Sequence, residues 1–251
     1  MLTAAQVTAI GSVIRGTAGA DVLTGSSLAD TILGMGGNDT ITDSGGDDTL
    51  DGGAGDDLIT DSGYGTNTLR GGDGNDQISS SNGATNLVEG GAGNDLMINS
   101  GAISNNVTTF NGGAGDDRMV GGLGGSTYVI NRGDGVDTIL DDHTGYAVAN
   151  KLVFGANIVA ADLEFSRTGD HLVIKIKDAQ NAAATDQVTV EKWFTTGGGF
   201  QLDQLQFSDG TSLTNVQIAQ LGSANSPTTV PQQHVEILIV GTLNGWLDAI
   251  M

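Results

Sequence analysis

Cysteine is absent from the 251 residues, which excludes a disulfide framework and rules out Cys-ligated zinc or iron–sulfur chemistry. Proline occurs only twice, at Pro227 and Pro231, and aromatic residues make up 4% of the chain against 38% for all hydrophobic residues. So few aromatics argue against a large core of the usual kind. Basic residues are scarce, nine against 30 acidic ones, for a net charge of −21. A field of that sign repels nucleic acid and favours multivalent cations. No apolar run approaches the ~20 residues of a transmembrane helix. Residues 1–16 show neither a basic n-region nor an apolar h-region, so no Sec signal peptide is expected. His143, His171 and His234 lack metal-ligand spacing, and no nucleophile elbow, Walker loop or dinucleotide fingerprint is present. The expectation is that the chain is not an enzyme.

Glycine is abundant instead, at 41 residues, a composition that suits either a disordered linker or an architecture with many positive-φ turns. The acid sits with the glycine: 20 acidic and four basic residues up to position 150, a net of −16, leaving −5 for the remainder. Written in nines from Gly16, the chain reads GTAGADVLT, GSSLADTIL, GMGGNDTIT, DSGGDDTLD and GGAGDDLIT. The unit is G-G-x-G-x-D-x-U-x, with U a large apolar residue. Apolar residues recur in phase with the glycines and carboxylates fall at position six. A disordered linker or a generally acidic surface would scatter both.

This unit resembles the RTX, or haemolysin-type, calcium-binding repeat over about residues 12–141. The resemblance implies an all-β fold, a right-handed parallel β-roll (RTX solenoid) in which two units make one coil. Loops two units apart then stack on the same edge, with strands about 4.8 Å apart. It also implies Ca²⁺ between stacked loops, held by backbone carbonyls and the position-six aspartates; Ca²⁺ takes six to eight oxygens at about 2.3–2.6 Å.

Sorting the units by edge distinguishes the two. On edge A every loop ends in aspartate: Asp21, Asp39, Asp57, Asp76, Asp95, Asp117 and Asp137. The resemblance assigns carbonyl ligands there to Gly16, Ala18, Gly34, Gly36, Gly37, Gly52, Ala54, Gly55, Gly71, Asp73, Gly74, Gly90, Ala92, Gly93, Gly112 and Ala114. Edge B begins with Asp30 and Asp48 and then closes its loops with Asn67, Asn86, Thr108 and Ser126. An asymmetric roll is expected: about six sites on edge A and about one on edge B, between Asp30 and Asp48. Ion-free turns closed by hydrogen bonds should follow. Two inward columns form the core, Leu23, Ile41, Ile59, Ile78, Met97 and Met119 on one strand set, and Ile32, Leu50, Leu69, Val88 and Phe110 on the other.

The pattern changes near residue 143. Lys151–Phe154, Leu163–Ser166, His171–Lys177, Gln187–Phe194 and Gln201–Phe207 read as antiparallel strands, Asp209-Gly210 as a turn and Thr214–Leu221 as a short helix. This stretch is similar to the domain that often follows RTX repeats in haemolysin-type proteins. The expected organisation is a roll with an N-terminal cap strand over 1–142, a small antiparallel β capping domain over 143–222, and a linker and tail over 223–251. Trp193, Phe194 and Phe207 are expected in the core. The ending Asp248-Ala249-Ile250-Met251 is similar to the acidic-then-apolar end of type I secretion substrates and also loosely echoes a degenerate repeat.

The resemblance implies a secreted, extracellular calcium-binding structural module without a Sec signal, folding on Ca²⁺ outside the cell and served by a type I secretion apparatus. A module that binds a surface glycan or receptor, with the roll as spacer, is the second reading. A non-catalytic part of an RTX enzyme or toxin is the third. Arg132-Gly133-Asp134 spells an integrin-type tripeptide but lies inside the seventh edge-A loop.

Overall fold

The nine-residue period sets strands too short to bury a face alone, so each coil gains its core by stacking on the next. The computed structural model describes residues 11–81, 85–101, 107–143, 148–178, 186–196, 199–222 and 228–229. Val235–Val240, an apolar run that reads as a strand in the sequence, and the acidic-then-apolar ending lie outside the described residues.

Strands alternate between two sheets. One contains β1 (Val13–Arg15), β3 (Thr31–Leu33), β5 (Thr49–Ala54), β7 (Thr66–Asp73), β9 (Thr85–Ala92), β11 (Val107–Ala114) and β13 (Gly125–Ile130). The other contains β2 (Val22–Thr24), β4 (Thr40–Asp43), β6 (Leu58–Asp61), β8 (Gln77–Ser80), β10 (Leu96–Asn99), β12 (Arg118–Gly121) and β14 (Val136–Asp141). Within each sheet neighbours are parallel, the arrangement of a β-roll.

Register carries the apolar columns through the whole stack. Leu23, Ile41, Ile59, Ile78, Met97 and Met119 pair in succession and end on Ile139. Opposite them run Ile32, Leu50, Leu69, Val88 and Phe110. All are buried. Phe110 fills its slot after the lengthened edge-B loop, and Tyr128 stacks on it with ring centroids 5.3 Å apart.

The capping segment contains β15 (Lys151–Phe154), β16 (Leu163–Thr168), β17 (His171–Ile176), β18 (Gln187–Val190), β19 (Gln204–Gln206) and β20 (Ser212–Thr214). The pairs β16–β17, β17–β18 and β19–β20 are antiparallel. Three strands depart from the antiparallel expectation. β15 pairs parallel with β13, β19 parallel with β15, and β18 parallel with β14. Both columns therefore continue without a break, Tyr128 to Leu152 to Leu205 on one side and Ile139 to Val190 on the other. The reason is physical: the last coil offers two rows of unpaired backbone groups, and parallel strands satisfy them.

Gln187–Phe194 is also shorter than expected, ending as a strand at Val190 before a turn in which Lys192 has φ +56°. Trp193 and Phe207 are buried in the core and Phe194 packs against it. Gly210 turns at φ +85°, and helix α1 (Asn215–Gly222) starts with a capping box. There Gln217 N–H donates to Thr214 Oγ1 at 3.4 Å and Thr214 N–H donates to Gln217 Oε1 at 2.9 Å.

Candidate metal centre

From the loop 34–39 onward, edge-A loops turn on glycines that an L-residue would strain: in the loop 52–57, Gly53 has φ +104° and Gly55 +130°. This turn aims the closing aspartate back under its own loop. From Asp39 onward, Oδ1 of each aspartate accepts the backbone N–H of its counterpart one coil earlier. The chain of bonds runs Asp21 to Asp39 at 2.8 Å, Asp39 to Asp57 at 2.7 Å, and Asp57 to Asp76 at 2.8 Å. It continues Asp76 to Asp95 and Asp95 to Asp117, both at 2.8 Å, and Asp117 to Asp137 at 3.1 Å. All seven edge-A aspartates thus form one column.

The other oxygen is left over. Oδ2 of Asp39, Asp57, Asp76, Asp95 and Asp117 is buried with no hydrogen-bond partner. Buried carboxylate oxygens in that state are costly unless a cation or proton satisfies them. In the outermost loop, which holds Gly16 and Ala18, Asp21 Oδ2 instead accepts Thr17 N–H at 2.6 Å and Thr17 Oγ1–H at 2.9 Å.

The position-one glycines mark the space beside these oxygens. A Cβ on Gly34 would lie 2.3 Å from Asp39 Oδ2 and 2.4 Å from Gly52 O. On Gly71 it would lie 2.1 Å from Asp76 Oδ2 and 2.6 Å from Gly90 O, and on Gly90 2.2 Å from Asp95 Oδ2 and 2.5 Å from Gly112 O. Carboxylate and carbonyl oxygens converge there, an all-oxygen donor set of the kind hard cations take. Position-three carbonyls each already accept one bond from the coil before: Gly37 N–H donates to Ala54 O, Gly55 N–H to Asp73 O, and Gly74 N–H to Ala92 O, each at 2.7 Å. Gly93 N–H donates to Ala114 O at 2.8 Å. One lone pair on each remains. Position-four carbonyls of Gly37, Gly55 and Gly74 stack against the next coil's glycine.

Stacked carboxylates raise one another's pKa. Burial, reinforced by neighbouring aspartates, pushes Asp95 and Asp137 up to about 7, and Asp76 and Asp117 to about 6. Asp57 rises for the same reasons.

On edge B the ladder of bonds spans the first loops, and farther along Ser80 Oγ, both amide atoms of Asn86 and Ser126 Oγ are buried without a partner. Ser12 N–H donates to Asp30 Oδ1, Asp30 N–H to Asp48 Oδ1 at 2.7 Å, and Asp48 N–H to Asn67 Oδ1 at 2.9 Å. Further along, turns close with side-chain bonds: Gly63 N–H donates to Asp61 Oδ1 at 2.9 Å and Gly101 N–H to Asn99 Oδ1 at 2.8 Å. In the last coil Tyr128 OH donates to Asp141 Oδ2 at 2.7 Å, and His143 Nδ1 lies 2.8 Å from Asp141 Oδ1. One residue of this edge was not among the expected ligands. Asp43, in the first position of its unit, is buried close to Asp30 and Asp48, and oxygens of the three lie within 4.8 Å of one another. The signal was an aspartate standing where the repeat has glycine.

Arg132 does not stand free for an adhesive tripeptide. Its guanidinium donates to Asp162 Oδ2 at 2.7 Å, Lys177 O at 2.9 Å and Asn157 O at 3.1 Å. Gly133 N–H donates to Asp186 Oδ2 at 2.9 Å.

A parallel roll whose loops stack carboxylates and carbonyls defines a solenoid with an all-oxygen donor set along its edge. Comparison with known families gives its type. Residues 12–27, 24–59, 61–97 and 109–128 match the RTX calcium-binding nonapeptide repeat (4 copies), and residues 171–217 match the haemolysin-type calcium binding protein related domain. The chain carries the RTX calcium-binding repeat followed by that related domain, and the roll itself is a structural, non-catalytic fold. It is 34% identical over 99 residues to the iron-regulated protein FrpA of Neisseria meningitidis serogroup C, a match covering 38% of this chain and 8% of that relative. Among the described residues no helix is long and apolar enough to cross a membrane.

Proposed function

We propose that the chain is a calcium-gated folding module that stays unfolded where Ca²⁺ is scarce and folds outside the cell after type I secretion. The column of five buried, unpartnered Oδ2 atoms at Asp39, Asp57, Asp76, Asp95 and Asp117 carries this reading. Calcium supplies positive charge and oxygen coordination between coils. The residues that hold it are the seven edge-A aspartates, with position-one and position-three carbonyls between them, and on edge B Asp30 and Asp48. About six ions on edge A and about one on edge B bring about +14, against the net −16 of residues 1–150.

With those ions absent, the chain's own residues oppose the fold. The apolar columns offer one side chain per strand, too little to offset the chain entropy of so many glycines. The aspartates meanwhile repel along the column. Coupling metal affinity to folding in this way keeps the polypeptide extensible in a calcium-poor cytosol and rigid where calcium is in the millimolar range. The 143–222 segment acts as the cap, since its parallel strands cover the open end of both sheets.

Far-UV circular dichroism of the full chain, with calcium and after exhaustive chelation, tests the proposal. A change from β signal to unfolded signal on chelation supports it. A folded spectrum that survives chelation overturns it.

A further inference from the structure

Edge B follows a rule that the repeat does not state. Where edge A has glycine at position one, edge B puts a side chain in several coils, and that side chain meets the residue closing the same loop. Asn67 Nδ2 donates to Asp61 Oδ2. Asn99 Nδ2 donates to Thr108 Oγ1 at 2.6 Å, and Asn150 Nδ2 donates to Asp141 Oδ1 at 3.2 Å. Each of these meetings joins a donor to an acceptor.

The coil of Asp43 and Asp48 breaks the rule, because both partners are carboxylates. Asp43 Oδ1 accepts from Ser44 and Gly45 N–H, and Asp48 Oδ1 from Asp30 N–H. Their Oδ2 atoms are buried without a partner, on residues only 4% and 2% exposed. Asp43 Oδ2 reaches over bare backbone of the preceding coil, where a Cβ on Gly25 would lie 1.7 Å from it. Asp30 completes the group, with Oδ2 accepting Ser26 N–H at 2.7 Å and Ser26 Oγ–H at 2.8 Å.

We infer that Asp43 is a direct, third carboxylate ligand of a calcium site shared with Asp30 and Asp48. This rests on the calcium reading of the roll and sharpens its edge-B site. Oxygens of the three groups lie within 4.8 Å of one another, and an ion bound at about 2.4 Å leaves opposite ligands about 5 Å apart. The donors are all oxygen and carry three negative charges, which selects a hard cation over zinc or copper. The same rule accounts for the coils of Asp61, Asn99 and Asp141, where the amides of Asn67, Asn99 and Asn150 donate in the cation's place.

The test is an ion count on the full chain at saturating Ca²⁺, by calorimetry and elemental analysis, for wild type, Asp43→Asn and Asp61→Asn. Asparagine keeps the Oδ1 that caps the turn and removes the charge. Asp43→Asn should bind one ion fewer than wild type with an unchanged β spectrum, while Asp61→Asn keeps the wild-type count. Should Asp43→Asn disturb the turn, Asp43→Ser, which copies the coil of Ser80, repeats the test. A wild-type count in these Asp43 variants overturns the inference and leaves Asp43 a turn cap, or a partner of Asp48 in a shared proton. No bound ion in the wild type overturns the calcium reading itself, and this site with it.

Discussion

Asp76 Oδ1 accepts the backbone N–H of Asp57, one coil earlier, at 2.8 Å, while Asp76 Oδ2 is buried and unpartnered. One oxygen therefore ties two coils together, and the other is left for the cation that the proposed function places there. Asp76→Asn keeps the first role and removes the charge behind the second. It should raise the calcium concentration needed for folding, at a cost of about 1–3 kcal/mol in calcium-loaded stability. Asp76→Ala should cost more, because Asp57 N–H then loses its acceptor. Calcium titrations followed by circular dichroism compare the two.

Without calcium, pH acts on the same column in the opposite sense to ordinary surface carboxylates. Asp95 and Asp137 are pushed up to about 7, and Asp76 and Asp117 to about 6, from an ordinary 3.8, and on edge B Asp48 rises to about 7. Groups raised on folding favour the protonated folded form. Their contribution is complete below about pH 4 and is lost as pH rises through about 6–7. The calcium-free chain should therefore hold more β structure at about pH 4.5 than at about pH 8. With calcium present the order reverses, since the ligands must be deprotonated. Circular dichroism across pH, with chelator and with calcium, reads both.

Met35 holds φ +81° at the second position of its loop, where Gly53, Gly72, Gly91 and Gly113 take the same region elsewhere on edge A. Its side chain is 56% exposed and contributes little packing. Met35→Gly should stabilise the loaded roll by about 1 kcal/mol through relief of backbone strain. A rise in thermal midpoint at fixed calcium checks it.

Arg132 joins the last edge-A loop to the cap through Asp162, Lys177 O and Asn157 O. Arg118 makes a second tie, with guanidinium bonds to Glu191 at 3.0 and 2.9 Å. Arg132→Ala should cost about 1–3 kcal/mol, with hydrogen exchange rising first in β16 and β17. Uniform protection in the variant contradicts that role.

Much of this was legible because the nine-residue period fixes both what points inward and what closes each loop. Ile59 and Ile78 had to share a column, and Asp57 and Asp76 an edge. The parallel pairing of Lys151–Phe154 with β13 was not legible, because alternation tells which face a strand buries but not which neighbour it meets. Asp43 was overlooked for a related reason. At position one it looks like a worn glycine, and only the stacking of Gly25, Asp30 and Asp48 around it shows three carboxylates in one place. Arg132 likewise reads as a degraded repeat residue until Asn157, Asp162 and Lys177 fold against it.

The central claim is that calcium and the fold of the roll are one equilibrium. Counting bound Ca²⁺ while recording the β signal in the same titration tests it most directly. The account predicts about seven ions, taken up together with the β signal, and unfolding when chelator removes them. A chain that is fully folded before calcium is added, or that folds with no bound ion, would contradict it.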